Sequence, residues 1–212
     1  MAPSRRGLVC AAALVLLLAP AGVRAGQPTD QLRTQIDRAV KVLDDPELKK
    51  ESKVNARRAA VRKVANDIFD FGETAKRSLA RHWPPRTPAE RDEFIALFAD
   101  LLERSYISKI EVYGGEKIGY LGETIDGDQA TVRTKLTTKH QTDIPVDYRM
   151  LKRGEKWLVY DVIIEGVSLI ANYRVQFNKI ITTSSYQELV KKMKAKQEEF
   201  YEDEKAKRTS QR

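Results

Sequence analysis

Between Leu32 and Leu43, apolar residues recur every three or four positions (Leu32, Ile36, Ala39, Val40, Leu43), and Asp44-Asp45-Pro46 closes the stretch. That spacing lays one apolar stripe along an α-helix. The same period returns from Glu47 to about Phe69, with Leu48, Val54, Val61, Val64 and Ile68 inward and Lys53, Arg57, Arg58, Arg62 and Lys63 outward. A short third helix is expected over Gly72 to Arg81, because the prolines of Trp83-Pro84-Pro85 forbid its continuation. Thr87-Pro88-Ala89-Glu90 then reads as a helix start. The threonine can cap, the proline suits the first helical position, and the glutamate completes a capping box. The helix it opens buries Phe94, Leu97, Phe98, Leu101, Leu102 and Tyr106, and it is expected to reach Tyr113, where Gly114-Gly115 breaks it.

Beyond those glycines the pattern alternates. Lys117 to Glu123 is a first strand, and Asp126-Gly127 is a turn signal. Ala130, Val132, Thr134 and Leu136 then alternate with Thr131, Arg133, Lys135 and Thr137, which describes a half-buried strand with a charged outer face. Ile144, Val146, Tyr148 and Met150 alternate with Pro145, Asp147 and Arg149 in the next, Arg153-Gly154 turns the chain, and Trp157 to Ile164 is apolar on both faces. After Gly166 the helical period resumes, with Val167, Ile170, Tyr173, Phe177 and Ile180/Ile181 on one face. Ser185-Tyr186-Gln187-Glu188 is a second capping box, opening a helix that carries Leu189, Val190 and Met193. Helices, then strands, then helices predict an α+β domain.

Length and composition add an address. The chain has 212 residues, which suits one domain. Arg5 and Arg6, the apolar run Leu8 to Ala19 and the small-x-small end Val23-Arg24-Ala25 form a secretory signal peptide. Cleavage is expected after Ala25. A single domain then covers 26–200, and the charged residues 201–212 are expected to form a disordered tail. Export without an anchor points to a bacterial periplasm. Cys10, the sole cysteine, lies inside the signal, so disulfide and thiolate chemistry are excluded from the exported chain. The formal net charge of +8 falls to +5 once Arg5, Arg6 and Arg24 leave. An exported, mildly basic protein meets anionic lipid headgroups or acidic proteins rather than nucleic acid.

Catalytic chemistry finds little support. The two histidines, His82 and His140, have no second histidine or carboxylate at ligand spacing, so no metal site is expected. No nucleophile-elbow motif supports a serine hydrolase. Gly114-Gly115 and Gly119-Tyr120-Leu121-Gly122 lack the strand-then-helix setting of a phosphate loop, so no nucleotide cofactor is expected. Asp161 and Glu165 stand among apolar residues, where a carboxylate can act as acid or base. Their structural alternative is an ion pair of Asp161 with Arg149 or Arg174, and a Glu165 favoured by the dipole of the helix that follows it. The basic face of residues 49–63 is either a solvated surface or a docking face. What remains is apolar surface, with Tyr106, Tyr113, Tyr120, Tyr148 and Tyr173 as amphipathic rings able to line a greasy cavity.

Three stretches carry a resemblance: FDFGETAKRSLARHWPPRTPAERDEFIALFADLLERSYISKIEVYGGEKIGY (69–120), IPVDYRML (144–151) and KWLVYDVIIEGVSLIANYRVQFNKII (156–181). They resemble the MlaC-type, toluene-tolerance family of periplasmic phospholipid-binding proteins over about residues 28–195, most specifically in W-x-x-Y-D-V-x-x-E-G-V-S. The resemblance implies a curved antiparallel sheet of about four to five strands packed against several helices, with acyl chains held between the layers. It implies a soluble, non-enzymatic shuttle of an ABC-type lipid transport system that maintains outer-membrane lipid asymmetry. The shuttle would work between an outer-membrane lipoprotein complex and an inner-membrane MCE-domain ABC transporter, with lipid as cargo and no cofactor. A branch associated with hopanoids would carry polycyclic lipid instead, and the sequence leaves both open, along with an acid/base enzyme using Asp161 or Glu165. Under the carrier reading, Leu97, Leu101 and Tyr106 face the lipid from the helices. Val132, Leu136, Val146, Tyr148 and Met150 face it from the sheet. Val167, Ile170 and Tyr173 close the far side.

Overall fold

In the computed structural model, which describes residues 27–111 and 114–210, five strands form one curved, unclosed antiparallel sheet in chain order. They are β1 (Lys117–Asp126), β2 (Gln129–Thr137), β3 (Asp143–Arg153), β4 (Lys156–Ile164) and β5 (Val167–Ser168). The expected leader, with its cleavage after Ala25, lies outside the described residues, as does Tyr113. Gly127 (φ 56°) and Gly154 (φ 61°) occupy the left-handed positions that tight hairpin turns demand. The alternation read from the sequence is the register observed. Ala130 faces Met150, Val132 faces Tyr148, Thr134 faces Val146 and Leu136 faces Ile144, all on one face.

Two bulges adjust this ladder. One inserts Leu121 into β1. The other inserts Tyr160 into β4, between the pairs Met150–Val159 and Arg149–Asp161. An extra residue reverses the side on which every later side chain emerges. Trp157 and Val159 therefore share a face with Val162 and Ile164, while Asp161 is turned to the opposite one. This is why a carboxylate can sit inside an otherwise apolar strand.

A fifth strand agrees with the sheet of about four to five strands that the resemblance implied, although the periodicity did not mark it. Glu165 (φ 50°) and Gly166 (φ 81°) reverse the chain, so that Val167 and Ser168 pair with Ile164 and Ile163. Val167 therefore belongs to a strand rather than to the following helix. The same edge of β4 is covered nearer the strand's start by Phe69, which bridges Val159, and by the Asp70 N–H, which donates to the Val159 carbonyl at 2.9 Å. The outer edge of β1 carries no such cover among the described residues.

Among the described residues six α-helices complete the fold. Helix α1 (Gln27–Asp44) crosses the sheet, and its first turn is tied down by Glu123 of β1, which accepts from the Thr29 N–H at 2.8 Å and the Thr29 hydroxyl at 2.5 Å. Helix α2 (Val54–Ile68) starts later than expected. The Asp45 carboxylate accepts the N–H groups of Glu47 and Leu48 and holds the chain in a turn, and a 3-10 segment at Glu51–Lys53 follows. Helix α3 (Phe71–Leu79) is capped by Asp70. Helix α4 (Pro88–Glu111) has its capping box closed in both directions, with Thr87 N–H to Glu90 at 2.8 Å and Glu90 N–H to Thr87 Oγ1 at 3.2 Å. Helix α5 (Leu169–Thr183) is capped by Ser168, and α6 (Tyr186–Ser210) by Ser185. Helix α6 continues to Ser210, where an irregular tail had been expected from residue 201. No glycine or proline interrupts it, Lys196 pairs with Glu199 at 2.8 Å, and Arg104 stacks 4.2 Å from the Tyr201 ring centre.

The buried residues divide into two cores. One joins α3, α4, α5 and α6 around Leu79, Phe94, Phe98, Phe177 and Leu189. The other joins α1 and α2 to the sheet around Leu32, Val132, Met150, Trp157 and Val159. Helix α4 packs chiefly on α3 and α6, whereas α3 and α5 reach β4.

Candidate functional site

The two carboxylates resolve first. Asp161 is 4% exposed. It accepts the Ser168 hydroxyl at 2.7 Å and the Ile170 N–H at 3.1 Å, and pairs with Arg149 at 3.4 Å. It thus anchors the start of α5, and of the two expected partners Arg149 is the one it meets. Glu165 is exposed in the turn, and its N–H donates to the Pro145 carbonyl at 3.0 Å. The helix-start role expected of Glu165 belongs to Asp161, and the two do not converge on a common space. Among the described residues no group of three or more His, Cys, Asp or Glu could hold a metal ion, and no helix is long and apolar enough to cross a membrane.

The apolar surface is graded. On the face of the sheet covered by α1, the row Ala130, Met150 and Val159 is fully buried. Toward the loop joining β2 to β3, Leu136, Ile144 and Val146 are only half-buried, Val162 likewise, and Ile164 is 38% exposed. Helix α4 shows the same gradient. Phe94, Leu97 and Phe98 are buried, Leu101, Leu102, Tyr106 and Ile107 are half-buried, and Ile110 is 40% exposed. Both cores therefore fade toward one end of the molecule, leaving apolar surface that water still reaches.

Of the residues expected to meet lipid, Leu101, Tyr106, Leu136, Val146, Tyr148 and Tyr173 lie in this half-buried band. Leu97, Val132, Met150 and Ile170 are enclosed within the two cores and have almost no accessible surface. Val167 is 61% exposed on β5. Periodicity separates faces but not depth along a face, so it could not sort these groups. Ile118 and Ile144 also join the band; the strand alternation had marked Ile144, whereas Ile118 was not singled out. Val162 and Ile164 needed the Tyr160 bulge to be placed.

Phenols punctuate the band. Tyr106 and Tyr173 are hydrogen-bonded to each other, and desolvation raises the pKa of Tyr106. Burial pushes Tyr148 up to about 12. Its hydroxyl has no hydrogen-bond partner among the described residues and is not among the sealed, unpartnered groups, so it keeps some reachable surface. The Tyr120 hydroxyl, by contrast, is sealed and unpartnered. A separate cleft of about 420 Å³ between α1, α2 and the start of β4 has a mixed lining, with Asp30, Gln31, Arg38, Asp67 and Lys156 beside Trp157 and Leu158, and Arg38 and Asp67 paired at 3.1 Å. Its charges make it a poor host for hydrocarbon.

Comparison with known proteins agrees with this architecture. A phospholipid-binding protein from Ralstonia solanacearum, solved in complex with a phospholipid, superposes with a TM-score of 0.71 at 23% identity, covering 81% of this chain and 97% of that one. The intermembrane phospholipid transport system binding protein MlaC of Haemophilus influenzae is 22% identical over 138 residues. That match spans 61% of this chain and 64% of the relative's length. Residues 33–195 match the family described as MlaC protein. With a curved five-stranded sheet, two separated cores and a family match over most of its length, the chain belongs to the MlaC family.

Proposed function

We propose that the protein is a lipid-binding shuttle that carries phospholipid between membranes, with the acyl chains against the half-buried apolar band and no chemical step. The observation that carries the reading is the fading of two cores toward one end, with the half-buried Tyr148 in that band and its unpartnered hydroxyl still reachable. Family membership and the phospholipid held by the Ralstonia structure support it. The physics sets the demand. Each buried CH₂ contributes about 0.8 kcal/mol, so a sixteen-carbon chain contributes roughly 12 kcal/mol, and a carrier must hide most of that from water. The headgroup can stay in solvent, so a phosphate-binding loop is not required.

Lipid contact is assigned to Leu101, Tyr106, Leu136, Val146, Tyr148 and Tyr173, with Val132, Met150, Leu97 and Ile170 packed behind them. The work is placed in the periplasm, after removal of residues 1–25. The partners are an inner-membrane MCE-domain ABC transporter and an outer-membrane lipoprotein complex. The net positive charge suits acidic partner surfaces.

Organic extraction of the purified protein followed by mass spectrometry tests the reading, and a two-chain phospholipid is the expected product. A polycyclic lipid would redirect the cargo assignment. Protein that holds no lipid and takes none up from vesicles would refute the carrier. Val146→Arg places a charge in the band and is expected to give folded, lipid-free protein. Ile170→Arg is unsuitable for this purpose, since Ile170 is enclosed in the helical core and the charge would unfold it.

A further inference from the structure

We propose that the Tyr148 hydroxyl is a polar stop that limits how long an acyl chain the carrier accepts. The inference rests on the carrier reading above and adds a selectivity to it. Tyr148 stands next to the fully buried row of Ala130, Met150 and Val159, at the closed end of the graded face. Ile144 stands at the open end of the same strand. Four residues of β3 separate them, about 13 Å along the strand, which an extended chain spans with roughly ten methylenes. A tail entering from the open end therefore meets Tyr148 with its terminal methyl.

The other hydroxyls of this face present no such obstacle. Thr134 donates to the Val146 carbonyl at 2.7 Å, and the Tyr120 hydroxyl is sealed away. Tyr148 has no acceptor among the described residues, and its hydroxyl is reachable. Water can satisfy it, but a methyl group cannot. Each methylene that enters multiplies affinity roughly fourfold. The methyl that strips the hydroxyl of its water divides affinity by roughly 5 to 150. The second factor exceeds the first, so affinity stops rising at the length that touches Tyr148.

The test is calorimetric titration of the purified, delipidated protein with lysophosphatidylcholines of increasing saturated chain length, kept below micelle formation. Wild type is expected to gain affinity roughly fourfold per methylene and then break to a plateau or a fall. In Tyr148→Phe the break moves about two methylenes longer. In Tyr120→Phe the break stays where wild type has it. A common break in wild type and Tyr148→Phe, or a wild-type profile with no break, overturns the stop and leaves the carrier standing. Failure of every member to bind any of the proteins overturns the carrier, and the stop with it.

Discussion

Removing the Asp161 carboxylate separates a structural role from a chemical one. In Asp161→Ala the Ile170 N–H, in a residue only 3% exposed, loses its acceptor and is left buried and unpaired. Such a group costs about 1–3 kcal/mol. The Ser168 hydroxyl loses a 2.7 Å acceptor, about 1 kcal/mol more. Arg149 is half-exposed and resolvates, adding at most about 1 kcal/mol. The expected loss is about 2–5 kcal/mol, a large share of a typical domain's stability. Asp161→Asn keeps one oxygen for the Ile170 N–H and can turn its amide toward Ser168, so its expected loss is only about 1 kcal/mol. Urea unfolding followed by the fluorescence of Trp83 and Trp157 measures both as shifts in midpoint at constant slope. In both variants the folded fraction is expected to keep its lipid. Equal losses for the two variants, or no shift in either, would refute the hydrogen-bonding role. Folded Asp161→Asn that lost a measurable turnover would revive the acid/base reading.

Phe98→Ala, which empties the centre of a ring cluster formed with Phe94, Tyr173 and Phe177, should cost about 3–5 kcal/mol by the same urea assay. Glu123→Ala releases the first turn of α1 from β1, and a loss of about 1–2 kcal/mol with faster amide exchange at Thr29 is expected. Alkaline stability should fall between about pH 10 and about pH 12. Tyr148 keeps its proton in the folded protein until about 12 but releases it near 10 when unfolded, so deprotonation favours the unfolded chain as pH rises through that window. Solvent contact limits the effect to roughly 2 kcal/mol, and urea midpoints for Tyr148→Phe should vary less over the same window.

Local signals were legible wherever a few adjacent residues decide the outcome. The capping boxes at Thr87–Glu90 and Ser185–Glu188, the glycine turns at 127 and 154, and the alternation of β2 and β3 are of this kind. Features decided by distant partners were not. Strand β5 exists because Ile163 and Ile164 are there to pair with it, and two residues leave no period to read. The choice of Asp161 over Glu165 as anchor of α5 depends on the Tyr160 bulge, and β4 alone does not announce an extra residue. The candidate site was legible as a set of faces. Which residues of a face are sealed and which stay reachable depends on where α1 crosses the sheet, and hydrophobic periodicity carries no such information.

The bulge at Leu121 also governs how copies of this protein behave toward one another. Among the described residues no strand pairs with the outer rim of β1, and a rim of this kind can template the addition of foreign strands. Here the ladder is regular only for Lys117–Tyr120 and again for Gly122–Asp126. An incoming segment would find four residues in step, then five, with a kink between them. Fibrillar stacking draws on uninterrupted stretches of about six or seven, so the misfit works against polymerisation through this edge.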